Sequence, residues 1–144
     1  MSKSTARKNC KAIKYRLYPS AEQEAFFART FGSVRFVYNR MLLFCKAQYA
    51  AGEKYPGVYG MNYELTHLKQ RYRWLYDVDA TALTSATDAL HTAYTKFFQR
   101  TARKPVFHKK KYGGSYTSKC VSSNIVVCDK CIRLPKVGFV KAVI

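Results

Sequence analysis

The sequence predicts an α+β fold: a small β-barrel with an inserted helical bundle of about four helices. Three observations predict it. A basic, aromatic strand, Lys14-Tyr15-Arg16-Leu17-Tyr18, is stopped by Pro19 near the N-terminus. Apolar residues at three- and four-residue spacing then fill the middle of the chain, and short β-type runs return after residue 115. The order strand, helices, basic connector, strands puts the first strand in one layer with the last and leaves the bundle between them. The boundaries drawn are 1–18 and 112–144 for the barrel, 19–99 for the bundle and 100–111 for the connector.

Ser20 is placed to accept a hydrogen bond from the first helical amides while Gln23 reaches back, the spacing of a capping box. Gly32, within Phe31-Gly32-Ser33, can adopt the left-handed conformation that ends a helix, and Ser33 can start the next. A helical corner carrying Arg35, Tyr38 and Asn39 is therefore expected. In the second helix Val34, Val37, Tyr38, Met41, Leu42, Cys45 and Tyr49 form one apolar stripe up to Gly52. Residues 53–60, with Pro56, Gly57 and Gly60, read as a loop. Asn62 can cap a short helix through Leu65, Leu68 and Lys69 that closes near Trp74-Leu75. Asp79 starts the longest helix, with Leu83, Ala86, Leu90, Ala93, Tyr94 and Phe97 on one face. These stripes are read as core.

After Phe98 the character changes. Arg100, Arg103, Lys104, Lys109, Lys110 and Lys111 fall within twelve residues with no acid among them. Such a run needs a polyanion or bulk solvent. It reads either as a solvated linker or, given the embedded Pro105, Phe107 and His108, as a fixed path along a phosphate backbone. Gly113-Gly114 follows. Tyr116–Val121, Asn124–Cys128, Ile132–Leu134 and Gly138–Ile144 are the expected strands, with Asp129-Lys130 as a turn and Pro135 at a strand end. The run Val140–Ile144 is expected to present an unpaired edge.

The charge is far from balanced: 26 Lys and Arg face 8 Asp and Glu, a formal +18. Six cations and no acid lie in residues 1–21, and twelve cations with one acid, Asp129, in residues 89–144. The eight cations and seven acids between them nearly cancel. Folding does not require such an excess, which repels itself, so nucleic acid is the expected partner. No apolar run approaches the ~20 residues that span a bilayer, and Met1–Arg7 lacks the apolar stretch of a secretory signal. No membrane or small-molecule partner is expected. Five cysteines, irregularly spaced, fit reduced thiols in a cytoplasmic protein. Cys128 and Cys131 have metal-pair spacing, but zinc needs four ligands, and only Cys120 and His108 could complete the set. No metal, cofactor or catalytic constellation is assigned.

The chain resembles the N-terminal portion of the TnpB (OrfB) family, transposon-encoded RNA-guided DNA endonucleases. The resemblance is carried by Tyr15-Arg16-Leu17-Tyr18-Pro19 with Glu22-Gln23, by Phe31-Gly32-Ser33 with Arg35-Phe36-Val37-Tyr38-Asn39, and by Glu64-Leu65-Thr66 with Leu68-Lys69. Trp74-Leu75, Val78-Asp79, Ala82-Leu83, Ala93-Tyr94, Lys96-Phe97-Phe98, Ser115-Tyr116 and Leu134-Pro135-Lys136-Val137-Gly138-Phe139-Val140 continue it. The ordered set covers about residues 11–141. In that family the matching region is a wedge-like barrel and a helical recognition lobe, its start often labelled a helix-turn-helix. The family's nuclease is a later RuvC-like domain with three acidic metal ligands and a four-cysteine zinc ribbon.

The resemblance implies binding of structured guide RNA and duplex DNA, without nuclease activity in these 144 residues. Readout of a short DNA motif would fall on Tyr59, Asn62 and Tyr63, on Ala80, Thr81 and Thr84, and on Ser122, Ser123 and Asn124. Short hydrogen-bonding groups of these kinds suit base edges and phosphates. At 80, 81 and 84 the family often places a polar or basic residue, a bulky apolar one and a Gln, and Val106 stands where an Arg is common. With Lys14, Arg16, Arg35, Tyr38, Asn39, Arg103, Lys104, Lys109, Lys110, Lys111 and Tyr116, these residues form the expected nucleic-acid surface. Two other functions fit the sequence: a stand-alone helix-turn-helix regulator, or the N-terminal part of an active RNA-guided endonuclease.

Overall fold

A computed structural model describes residues 10–112 and 114–144. Residues 1–9, which hold three of the six cations of the N-terminal stretch, and Gly113 lie outside the described residues. The fold is mixed helix and sheet. Strand β1 (Arg16–Tyr18) leads into α1 (Ala21–Ala50), α2 (Gly57–Arg71), a 3-10 turn (Arg73–Asp77) and α3 (Ala80–Phe98). The connector carries a short 3-10 turn (Lys110–Tyr112) and precedes β2 (Val126–Val127), β3 (Cys131–Leu134) and β4 (Gly138–Val143).

The capping box forms as the spacing demands. Ser20 Oγ accepts from the Gln23 N–H at 3.3 Å, and Gln23 Oε1 accepts from the Ser20 N–H at 2.9 Å. Gln23 Nε2 also donates to the Phe139 carbonyl at 2.8 Å, so one side chain caps α1 and ties it to β4. The expected corner at Gly32 does not form: α1 runs unbroken for 30 residues. The reason is phase. The buried residues Thr30, Ser33, Val37, Met41 and Cys45 follow at spacings of three and four, straight through Gly32. A left-handed break there would rotate one half of that stripe off the core.

The core lies among the three helices and the 3-10 turn. Val37, Met41 and Leu42 meet Met61, Leu65 and Leu68, then Leu75, Leu83 and Leu90. Each such side chain, fully withdrawn from water, stabilises the fold by about 1.5–3 kcal/mol. Ala82 and Ala86, small and buried, line the α3 face that packs on α1. Tyr49, expected in the stripe, is 82% exposed. Three α-helices are present among the described residues, where about four were expected, because the corner is absent. Helix α2 starts at Gly57 rather than at Asn62, whose amide oxygen instead accepts from Thr87 Oγ1 at 2.7 Å on α3.

The expected barrel is an open four-stranded antiparallel sheet, ordered β1-β4-β3-β2. The N-terminal strand does join the C-terminal ones: Arg16 pairs with Val143 and Tyr18 with Lys141. Closure fails because residues 116–121 form no strand. Their groups are spent on helices: the Tyr116 ring packs against Phe27 and Phe31, Ser118 binds Asp79, and the Lys119 N–H donates to Thr81 Oγ1 at 3.0 Å. Strand β4 is therefore central, and the edges fall at β1 and β2 rather than at Val140–Ile144. Lys136 Nζ donates to the Tyr76 carbonyl at 2.9 Å and fixes the β3–β4 turn to the bundle. Among the described residues no helix is long and apolar enough to cross a membrane.

Candidate nucleic-acid interface

The connector follows a fixed path across α1. Asn39 brackets one residue of it: Oδ1 accepts from the His108 N–H at 2.7 Å, and Nδ2 donates to the His108 carbonyl at 3.0 Å. The Tyr38 ring stacks on the His108 imidazole, centroids 3.7 Å apart and planes within 10°. Burial pushes the imidazole pKa below its ordinary value. Pro105 is buried, and Lys46 Nζ lies 4.6 Å from the Phe107 ring centroid. Gly114 is needed here, since a Cβ at that position would meet the Phe31 ring at 2.6 Å. Arg103, Lys104, Lys109, Lys110 and Lys111 are thus exposed on an anchored segment. Tyr38 and Asn39 hold that segment; the Tyr38 ring is buried and already stacked on His108, so it is not free to stack on a base.

Two hollows flank the crossing, and Arg35 lines both. The first, about 600 Å³, is bordered by Arg29, Arg35, Asn39, Arg40 and Trp74. The second, about 670 Å³, is bordered by Phe31, Arg35, Tyr38, Lys109 and Tyr116. Arg40 lies over Phe36 and Tyr72, at 5.8 and 5.6 Å from their centroids, and Trp74 packs on Phe36 at 5.0 Å. Among the described residues no carboxylate pairs with Arg29, Arg35 or Arg40. Guanidinium groups held on aromatic faces beside a half-exposed indole suit phosphate binding and base stacking. Sequence reasoning does not reach Arg29, Arg40 and Trp74. The signal for the two arginines is the helical spacing of Arg29, Phe36 and Arg40, visible only if α1 is read as unbroken.

The expected motif readers divide into free and engaged groups. Tyr59 and Tyr63 are 91% and 70% exposed, one turn apart on α2, with the Tyr63 ring edge-on to His67 at 4.7 Å. Asn62, Thr81 and Thr84 are half-buried and committed. Thr81 Oγ1 donates to the Asp79 carboxylate at 3.0 Å and accepts from the Lys119 N–H; Thr84 Oγ1 donates to the Thr81 carbonyl at 3.1 Å. These bonds hold residues 118–119 against the start of α3. Three residues on, Ser122 and Ser123 have φ of 53° and 59°, a left-handed pair that costs roughly 1–2 kcal/mol per residue. Asn124 Oδ1 accepts from the Val121 N–H at 2.8 Å and stabilises that turn. Lys14 and Arg16 are exposed at the β1 edge, and Tyr116 is packed on α1, where burial raises its phenol pKa. Cys128 and Cys131 flank the turn between β2 and β3, where the Cys128 N–H donates to the Cys131 carbonyl at 2.8 Å; both thiols are free, and the neighbouring Cys128 raises the pKa of Cys131. Among the described residues no three metal-binding side chains converge.

Residues 10–54 match the helix-turn-helix domain of the OrfB proteins of IS605-type elements. A protein of Streptomyces pristinaespiralis named "Putative RNA-guided DNA endonuclease" is 32% identical over 103 residues. That match covers 70% of this chain and 26% of the relative, so the chain spans about a quarter of the curated protein it resembles. The match to a helix-turn-helix domain falls on β1 and the continuous α1, not on two helices joined by a turn.

Proposed function

We propose that this chain, which carries an OrfB-type helix-turn-helix domain at residues 10–54 and resembles the N-terminal part of TnpB (OrfB) proteins, binds guide RNA and duplex DNA. One observation carries the reading. The bracketing of the His108 backbone by Asn39 turns a run of cations into a track of fixed geometry beside Arg35. A polyphosphate laid along it releases counterions, while Arg29, Arg40 and Trp74 wait in the adjoining hollow. Tyr59 and Tyr63 present exposed rings on α2 to a groove or an unpaired base. The reading assigns no cutting step to these residues. The regulator reading is weaker, because the corner it relied on is replaced by a straight helix.

The test replaces Lys109, Lys110 and Lys111 together by Gln. Binding should weaken alike for all sequences, and the slope of log K against log salt should flatten by roughly 0.7–0.9 for each phosphate no longer neutralised. An unchanged slope would remove the connector from the interface. Structured RNA is expected to outcompete duplex DNA of equal length, and target DNA should stay intact when guide RNA and Mg²⁺ are added.

A further inference from the structure

A third hollow, of about 400 Å³, opens where the C-terminal half of α1 meets the end of α3. Its size is within the range of about 300–1,000 Å³ typical of small-ligand sites. Tyr55, Tyr94 and Phe98 form its wall, with centroids 5.0, 5.2 and 5.7 Å apart. The Tyr55 hydroxyl is fixed by His91 Nδ1 at 2.8 Å, which holds the ring in place. Burial pushes the Cys45 thiol up to about 11 and, as the leading cause, the Tyr94 phenol up to about 12, so the floor carries no charge at neutral pH.

The rim differs from the floor. Tyr49 is 82% and Phe98 55% exposed, and Lys104 Nζ lies 5.8 Å from the Tyr49 centroid. Lys104 belongs to the connector and also lines the hollow, so the cationic track and the aromatic wall are continuous. Glu53 stands at the same mouth and can accept from ring or exocyclic N–H groups. An uncharged lipid or an aliphatic peptide has no use for that cationic rim. A planar heterocycle joined to a phosphate uses both parts.

From this continuity we infer that the hollow takes an unpaired nucleobase of a single strand whose phosphates follow the connector, stacked between Tyr49 and Phe98. The inference rests on the connector reading given above. It adds a stacking site remote from the Tyr59 and Tyr63 face and from the Arg35 hollows.

The experiment compares oligo-U and oligo-dT strands with counterparts in which every residue is abasic, on the full chain and on Tyr49→Ala. The Tyr49 ring is mostly solvent-exposed, so the variant should fold, and its thermal transition should match that of the parent. Wild-type protein should bind the strands with bases about tenfold more tightly than Tyr49→Ala does, as removal of one stacked base implies. The abasic strands should not distinguish the two proteins. Photocrosslinking through 5-iodouracil should label Tyr49 or Phe98. An equal weakening on both kinds of strand, or labelling confined to Trp74, Tyr59 and Tyr63, overturns the inference and leaves the connector reading intact. Failure of every strand to bind at low salt overturns both. The RNA and DNA arms report which sugar the site prefers.

Discussion

Asp79 joins two segments of the chain through one side chain. It is 6% exposed, and its Oδ1 accepts both the Thr81 N–H and the Thr81 hydroxyl at 3.0 Å, capping α3. Its Oδ2 takes the Ser118 hydroxyl, which fixes the segment leading to the Ser122–Asn124 turn. Asp79→Ala should lower unfolding stability by about 2–3 kcal/mol, since an N-cap disappears and two hydroxyls are left without their acceptor. Asp79→Asn, which keeps an acceptor for the Thr81 amide, should cost less. Urea midpoints measure the first effect, and faster amide exchange in residues 115–121 measures the release of the segment. A midpoint unmoved by Asp79→Ala would show that the network adds nothing net. The cap itself is legible in the sequence, because it needs only residues two apart. The Ser118 bond is not, because its partner lies 39 positions away and no local pattern encodes it. The same holds for Asn39 and His108, 69 positions apart: each stands out as polar and basic-flanked, but not as half of a clamp.

At the level of elements, α1 decides how the rest is read. Local chemistry, Phe31-Gly32-Ser33, argues for a corner; the buried stripe from Thr30 to Cys45 runs through it without a break, and burial of that stripe prevails. Gly32 is therefore a helix-interior glycine, and Gly32→Ala should stabilise the chain by about 0.5–1 kcal/mol. The added Cβ would meet only the Arg35 guanidinium, at an ordinary 3.8 Å. Were position 32 left-handed, the same change would instead cost roughly 1–2 kcal/mol. Chemical denaturation of the variant gives the sign directly, and a lower midpoint would restore the corner. The strands follow a similar rule. β3 and β4 are legible from alternation and their turn residues, whereas Tyr116–Val121, equally β-like in composition, is claimed by packing and hydrogen bonds to α1 and α3.

The whole molecule is governed by its charge, and salt should act on it with two opposite signs. With 26 cations against 8 acids, the free chain repels itself, most strongly where the connector crosses the already basic α1 face. Lys119 and Asp88 form a 2.9 Å ion pair between exposed side chains, which offsets little of this. Screening shortens from about 10 Å at 0.1 M salt to about 3 Å at 1 M, so repulsion among cations on neighbouring elements fades over that range. Thermal stability of the free chain should rise with sodium chloride; a gain of ~1 kcal/mol would lift the midpoint by roughly 2–8 °C for a chain of this size. Affinity for nucleic acid should fall over the same range, since released counterions no longer favour association. A polyanion added at low salt should replace the effect of salt by neutralising the same groups. Thermal melts at low and high salt, with and without RNA, separate these effects. If the free chain instead melts earlier as salt is added, its cations are satisfied internally and do not await a polyphosphate.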